Sequence, residues 1–594
     1  MKNFPFLEWI NLRALYGGTY TWSAAALNVD TLGNVIQNTQ TRQLNGDFNF
    51  DRLYDKWGYL KKIQRPAAKG KPKAGNKPVK TAPAVDPSKK KDEDDKPLTA
   101  AEEKKQKQKE KRKADREARI PSLAERILIR PLLSIRRGRL TYTENFNSVV
   151  PGYSPTSTSF GMDKFTAPGV GFIAGWQPDN KWFDRAIQPD NRWITDNIFQ
   201  NQLVTLGRNQ TLEGRLNLEP FNDFKIDLNA NKTYSETHTE LFKVKDQGGD
   251  FRHMTPREVG SYTITYFTLG TMFQDMNQVF KRFEANREVI SSRLGTGVHA
   301  TDPGYAEGFG RIQQQVLVPA FMAAYTKEDP KTQKLDLFNT IPRINWSVAY
   351  NGLTKLDFVK KYFTSFNLTH AYKSIMTVNN FNTSPNFNAD VPETFNPITS
   401  NYYSRFEIPA LSITEGLSPL LRIDVKTKND ITFNVDYKKI RNLTLSFIDN
   451  QVNETRTSDI TIGAGYQMHN VKLPFMKEFK TNKKNKKKKS KQDPNKTSQN
   501  QGPQTKKLSQ NDLTFKFDIS LRDDVSVSHF LDQDNTRVSR GVETVRLAPN
   551  IEYEYNKNIT LRLFYDYNLS KPKTSLQYKT ISQQGGLMVR FLLQ

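Results

Sequence analysis

The feature that most constrains this chain is a strict alternation of apolar and polar residues near its C-terminal end. Leu513, Phe515, Phe517, Ile519 and Leu521 hold the odd positions, while Thr514, Lys516, Asp518, Ser520 and Arg522 hold the even ones. A period of two is that of a β-strand, so this stretch folds with one oily and one wet face. The pattern returns after Asn556-Lys557-Asn558 as Ile559, Leu561, Leu563, Tyr565, Tyr567 and Leu569, with Phe564 the one ring on the wet face. It closes the chain as Leu587, Val589, Phe591 and Leu593. Strands of about 10 residues in this alternation are the pattern of a transmembrane β-barrel. A soluble antiparallel sheet with one solvated face carries the same pattern, so the rest of the chain must decide.

The same period opens the chain, with Ile10, Leu12, Ala14, Tyr16, Gly18, Tyr20 and Trp22 on one face. Further candidate strands lie near 44–50, 140, 209–219, 223–236, 342–351, 361–375, 402–413, 419–427, 430–438, 441–450 and 457–469. With those near 512, 543, 558 and 575 the count is about sixteen, and an even count puts both chain ends on one side. Counting back from the C-terminus places turns near 557, 440, 416, 355 and 221 on that side, all short. The loops at 148–207, 237–341 and 376–401 fall on the other side, all long. Short turns on one side and long loops on the other are what an outer-membrane barrel has, and a soluble sheet predicts no such bias. The expectation is therefore an all-β fold: an antiparallel transmembrane β-barrel segment, about 16 strands of a larger barrel, located in the outer membrane at the cell surface.

Strands alone do not account for the whole chain. The division runs as barrel strands over 1–60, a basic insertion with helices over 61–137, strands with long loops over 138–477, a lysine-rich loop over 478–511 and strands over 512–594. Residues 61–120 carry 21 Lys and Arg against 10 Asp and Glu, and 481–510 carry 10 against 1, so these two stretches hold most of the formal charge of +26. Runs such as Lys486-Lys487-Lys488-Lys489 contain no aromatic to stack on a base. They read as solvated, self-repelling loops on the turn side, attracted at most to anionic outer-membrane lipid, and not as a nucleic-acid site. Within the first insertion, Leu98 to Arg119 suits an exposed helix, and Ser122 to Ile135 is amphipathic but interrupted by Pro131. Three similar apolar-then-basic turns begin at Tyr59, Phe358 and Phe475, all on the turn side. Among the long loops, Met272, Phe273, Met276, Val279, Phe280 and Phe283 fall at helical spacing, as in a helix packed on the barrel mouth or folded inward.

Composition fits this reading: 36% hydrophobic residues and a mean hydropathy of −0.69 accompany 37 Phe and 23 Tyr. No run of 18 apolar residues occurs, so no helix is expected to span a membrane. The first eight residues lack the apolar core of a signal peptide; for an exported barrel the expectation is then a signal upstream of Met1, with the chain a fragment or a split gene product. Cysteine is absent and the six histidines are scattered without a His-Glu-x-x-His or His-x-His pair. There is no phosphate loop or serine-nucleophile motif, and Gly295-Thr296-Gly297 reads as a plain loop. The expectation is no enzyme, no cofactor and no metal.

Residues 151–183 are rich in Gly, Pro and rings: Pro151-Gly152-Tyr153, then Ala167-Pro168-Gly169, then Trp176 and Trp182. Together with the strand from Trp9 to Trp22 and the Trp57-Gly58-Tyr59-Leu60-Lys61-Lys62 turn, they resemble the C-terminal portion of the SprA (Sov) family. That family is the outer-membrane translocon of the type IX secretion system, associated with gliding motility. The likeness covers the chain apart from the two lysine-rich insertions, and its most specific part is the loop bearing Pro151, Gly152, Tyr153, Ala167, Pro168 and Gly169. Gln594 stands where such barrels commonly end on an aromatic. The resemblance implies a very large barrel whose lumen passes folded secreted cargo proteins. Its partners would be a PorV-like shuttle protein capping a lateral gate and a periplasmic plug protein. A self-contained passive porin or adhesion barrel is the alternative.

Overall fold

A computed structural model of the chain describes residues 7–28, 30–64, 122–246, 248–338, 341–388, 391–471, 511–531, 533, 536–556, 558–574 and 578–592. The lysine runs, the expected helix over 98–119 and the turn beginning at Phe475 lie outside the described residues. The fold is all-β, one antiparallel sheet of sixteen strands. Strand β1 (Ile10–Ser23) turns into β2 (Asn34–Asn49); helices α1 (Phe50–Asp55), α2 (Gly58–Gln64) and α3 (Leu123–Leu132) precede β3 (Ile135–Tyr153). An excursion over 154–203 holds α4 (Val170–Ile173) and α5 (Asn180–Ala186), followed by β4 (Val204–Phe221), β5 (Phe224–Val244) and β6 (Phe251–Thr265). A second excursion, 266–344, holds α6 (Met276–Leu294) and α7 (Gln314–Thr326) before β7 (Asn345–Tyr350), α8 (Asp357–Tyr362) and β8 (Phe363–Thr383). The two-residue β9 (Phe406–Glu407) leads to β10 (Ala410–Thr427), β11 (Ile431–Ser446) and β12 (Gln451–Met468). The last four strands are β13 (Asp512–Phe530), β14 (Thr536–Asn556), β15 (Ile559–Pro572) and β16 (Thr580–Phe591).

Fourteen strands form an unbroken path from β1 to β16, with β7 and β9 pairing beside it. Among the described residues β1 pairs only with β2, and β16 only with β15. The alternation read from the sequence has the same phase in every strand, because residues directly opposite in register share a face. Leu421, Tyr437, Ile460, Leu521, Val545, Leu569 and Ile581 lie opposite one another across seven strands. The neighbouring row on the other face is Arg422, Asp436, Thr461, Ser520, Arg546, Asn568 and Ser582. At the other end of the path, Leu12, Gly46, Leu140, Gly214 and Ala230 adjoin Arg13, Asn45, Thr141, Glu213 and Asn231.

The apolar rows make a belt with a definite height. On β13 it runs from Leu513 to Leu521, roughly 27 Å along the strand. A strand tilt of about 40° reduces that to about 21 Å, a little under the ~25 Å of a barrel's apolar band. One row above, the same face carries Lys439, Ser458, Asp523, Glu543 and Lys571 in register. Beyond that row the face is covered by the chain's own excursions. One core gathers Tyr153, Phe172, Phe183 and Trp193 over β2 to β5; the other packs Phe283, Phe321 and Tyr325 over β6, β8 and β10 to β12. No helix among the described residues is long and apolar enough to cross a membrane.

Several expectations about the connections are corrected. Turns near 416 and 440 do not exist: Gly416 sits opposite Ile440 inside the β10–β11 ladder, and the Pro419 region is absorbed by a bulge between Leu417 and Leu421. The polar run Lys438 to Asn442 mimics a turn because its charges meet partners brought from elsewhere in the fold. Residues 237–341 are not one outer loop. Strand β5 continues to Val244 and β6 returns beside it, so the excursion leaves from partway down the wall. Both β6 and β7 pair with β5 and β8, and are two halves of one wall strand. At the break, side chains replace the backbone ladder: Thr265 Oγ1 accepts from Asn231 N (3.1 Å) and donates to Arg343 O (2.7 Å), and Asn345 Oδ1 accepts from Ser374 N (2.8 Å). The long connections 154–203 and 384–409 fall on the expected side, and the turns at 222–223 and 428–430 fall opposite them. The apolar-then-basic stretches at Tyr59 and Phe358 form the short helices α2 and α8 on that turn side.

Candidate functional site

Three features of the wall bear on function, and the first is its polar face. Most rows there combine charges with amides or hydroxyls, though one carries Asp424, Asn434, Gly463 and Asp518 without a cation, and charges pair locally, as Arg546 with Asp566 (2.7 Å) and Arg139 with Asp47 (2.8 Å). These pairs are solvent-exposed, so each contributes little to stability, about 0–1 kcal/mol. What they supply is a hydrated surface on which charges of opposite sign are paired locally.

The second feature is a buried clamp just above the belt. Glu415 on β10 faces Arg441 on β11, which faces Arg456 on β12. Two arginines side by side repel. Here Glu415 pairs with Arg441, and Glu454 with Arg456 at 2.5 Å, while Arg441, Glu415 and Glu454 are each no more than 1% exposed. Much of the remaining hydrogen-bonding capacity goes to the start of the second excursion, while Arg441 Nε, Glu454 Oε2 and Arg456 Nη2 find no hydrogen-bond partner among the described residues. Arg441 donates to the carbonyl oxygens of Thr271 (3.0 Å) and Thr268 (3.2 Å) and to Thr271 Oγ1 (2.8 Å). Glu415 accepts from Thr268 Oγ1 (2.6 Å) and the Tyr372 hydroxyl (3.1 Å), and Arg456 donates to Gln274 O (2.8 Å). Lys439 lies over the Phe273 ring at 4.3 Å. Three cations on two adjacent strands thus grip one turn, 268–274. Above it, α6 turns Val279, Phe280, Phe283 and Ile290 inward, and α7 is buried from Val316 to Tyr325.

The helix expected from Met272 onward is α6, which starts at Met276, and it lies against the face that carries the belt and not over the polar face, because its apolar stripe matches Ile413, Leu443 and Val452 there. Phe273, counted into its periodicity, precedes the helix and is more than half exposed. The clamp and α7 were missed by sequence reasoning. A helix apolar on all sides has no period, and Pro319 within it argued against helix. Buried charges give no local signal at all.

The third feature is the loop core holding the six motif residues, which the fold brings together. Pro151 and Tyr153 end β3 opposite Val35 and Asn34, both buried. Gly152 adopts φ 79°, and Gly33 beside it φ 80°; a Cβ on Gly33 would come within 2.7 Å of the Gly152 carbonyl carbon, so both positions require glycine. Gly152 O accepts from Thr195 N (2.7 Å). Ala167 is buried and exchanges backbone hydrogen bonds with Asp163; Pro168 O accepts from Trp182 Nε1 (2.8 Å), and Gly169 at φ 95° starts α4. Trp182 joins the two halves, its ring 5.5 Å from Phe172 and 5.7 Å from Trp193. Asn38 on β2 anchors the assembly by donating to the Phe172 (2.7 Å) and Trp176 (2.8 Å) carbonyls. These roles are architectural, holding the loop on the wall.

No family model matches the chain, nor does any curated protein. The functional reading therefore rests on the wall's geometry and on the residue-level resemblance.

Proposed function

We propose that this chain forms part of the wall of a large outer-membrane β-barrel translocon that passes folded proteins to the cell surface, in the manner of type IX secretion. The observation that carries the reading is the pairing of one continuous apolar belt with one continuous polar face, across a path of strands whose two outermost members are unpaired among the described residues. A strand edge in a bilayer leaves N–H and C=O groups unsatisfied at roughly 2–7 kcal/mol each, so β1 and β16 need further strands beside them. A wide, wet lumen follows if those strands belong to the same wall. Secreted cargo would slide along the polar face, a PorV-like shuttle would engage a lateral opening, and a plug protein would close the turn-side mouth. No step in this function calls for a catalytic residue.

The absence of native cysteine makes the test direct. Single cysteines at 519, 520 and 521 in intact outer membranes should react with a water-borne maleimide only at 520. Equal reaction at all three rejects the membrane wall. The translocon is separated from the self-contained porin or adhesion barrel by depleting the protein. Loss of folded cargo from the surface supports the translocon; an unchanged surface proteome together with discrete conductance from this chain alone supports the porin.

A further inference from the structure

We propose that a trough in the belt across β3, β4 and β5 holds one acyl chain of a bilayer lipid; this rests on the membrane reading above. The register sets Leu140, Gly214 and Ala230 in one row and Gly138, Leu216 and Leu228 in the next. Gly214 and Ala230 stand side by side where flanking positions carry leucine, so the surface sinks between leucine walls. Nothing in the protein requires glycine at 214. A Cβ there would meet only the Ala230 carbonyl oxygen at 3.8 Å, and the residue is not in the left-handed region. Gly138 differs, since its Cβ would press on Leu216 Cδ1 at 3.3 Å. Glycine in a strand interior forgoes packing and often marks the close approach of a ligand.

The trough measures about 450 Å³, within the roughly 300–1,000 Å³ of small-molecule sites. Its turn-side end is closed by the rings of Trp9 and Phe50, 5.2 Å apart, and its other end by Ile344. Almost no polar atom lines it, which excludes a headgroup or a hydrogen-bonding peptide and suits a saturated chain. The belt is not dented in this way everywhere: farther along, one row sets Phe433 and Phe517 on either side of Ala464, and the next carries Val435, Ile462 and Ile519. A lipid seated here would fill the wall's thinnest stretch and stiffen it beside the split strand β6–β7.

The test uses the full chain in bilayer nanodiscs containing phosphatidylethanolamine with a photoreactive diazirine in one acyl chain, read by peptide mass spectrometry. Labelling of 138–142 and 212–216 should exceed that of 515–521 severalfold. Filling the trough by Gly214→Leu, or from the next strand by Ala230→Leu, should remove the excess and leave 515–521 unchanged. Equal labelling of all three stretches, or an excess that survives both substitutions, overturns the proposal while the membrane reading stands. Absence of label from every one of them in folded protein overturns the membrane reading, and the proposal with it.

Discussion

The turn-side half and the far half of the strands share one face of the sheet yet were built for different surroundings. On β12 and β13 the turn-side half presents Ile460, Ile462, Phe517 and Leu521, each more than a third exposed. A few residues farther along the same strands, the same face carries Glu454 and Val527, both buried under the chain's own helices. Exposed large side chains in unbroken rows are tolerable only where the surroundings are apolar as well. The far half shows what this protein does with the face elsewhere: it covers it with two excursions and pairs its charges. The row Lys439, Ser458, Asp523, Glu543 marks the boundary between the two regimes.

The comparison breaks most severely at the clamp. Arg441→Met leaves Glu415 and Glu454 buried without their shared cation, at a cost of about 3–5 kcal/mol. The excursion 266–344 should become protease-sensitive while the belt strands remain resistant; unchanged cleavage would mean that the helices hold without the clamp. A charge in the belt comes next. Phe517→Arg should cost about 2–4 kcal/mol of barrel stability, while Ser520→Arg on the polar face should cost near zero. Urea unfolding of heat-modifiable protein in lipid vesicles reads both, and equal effects would erase the distinction between the faces. Third, Gly152→Ala forces a side chain into the left-handed region and should loosen the loop core by about 1–2 kcal/mol, seen as faster amide exchange in 154–203.

The smallest effect is a pH dependence confined to the far half. His238, well above the belt, is pushed up to about 9 by hydrogen bonds to Glu240 and Glu258. Its contribution is complete below its ordinary value of about 6.5 and drains as pH rises through about 9. Glu258 on β6 is held below the usual carboxylate range by its bond from His238, with Arg405 adding to it, so its contribution has the opposite sense and fades in acid. Protection of the β5–β6 hairpin amides, corrected for the intrinsic pH dependence of exchange, should therefore be greatest near neutrality and should fall toward pH 9, with no matching change in β14–β15. A flat profile would place the stability of that hairpin in its packing instead.

How far the wall could be read in advance varied from strand to strand. Alternation in Leu513 to Leu521 and Ile559 to Leu569 marked strand, face and phase together, since each apolar residue reports its own exposure. The antiparallel all-β wall and the side of most turns followed from repeating that local reading, though β6 lay within a stretch read as loop. It failed at β10 and β11, where Gly416, Pro419 and Lys438 to Asn442 have turn composition but sit inside long strands, and at Thr265, where a wall strand breaks without any breaker residue. The six motif residues were legible as one ordered loop. That Trp182 bridges them depends on how the loop folds back on itself, and that Asn38 anchors them depends on contacts more than a hundred residues apart.

By itself, the sequence determined that this chain makes two-faced antiparallel strands in a number and polarity suited to an outer-membrane wall. Period-two patterning is a local property, and it survives without knowledge of partners. The tertiary structure alone decided the register that lines apolar residues into rows, the edges at β1 and β16 that are unpaired among the described residues, and the joining of β6 and β7 into one strand. It also decided that both excursions cover the face bearing the belt. Each of these depends on which distant segments meet, and buried groups such as Glu415 and Arg441 carry no sign of one another until the backbone has brought them together.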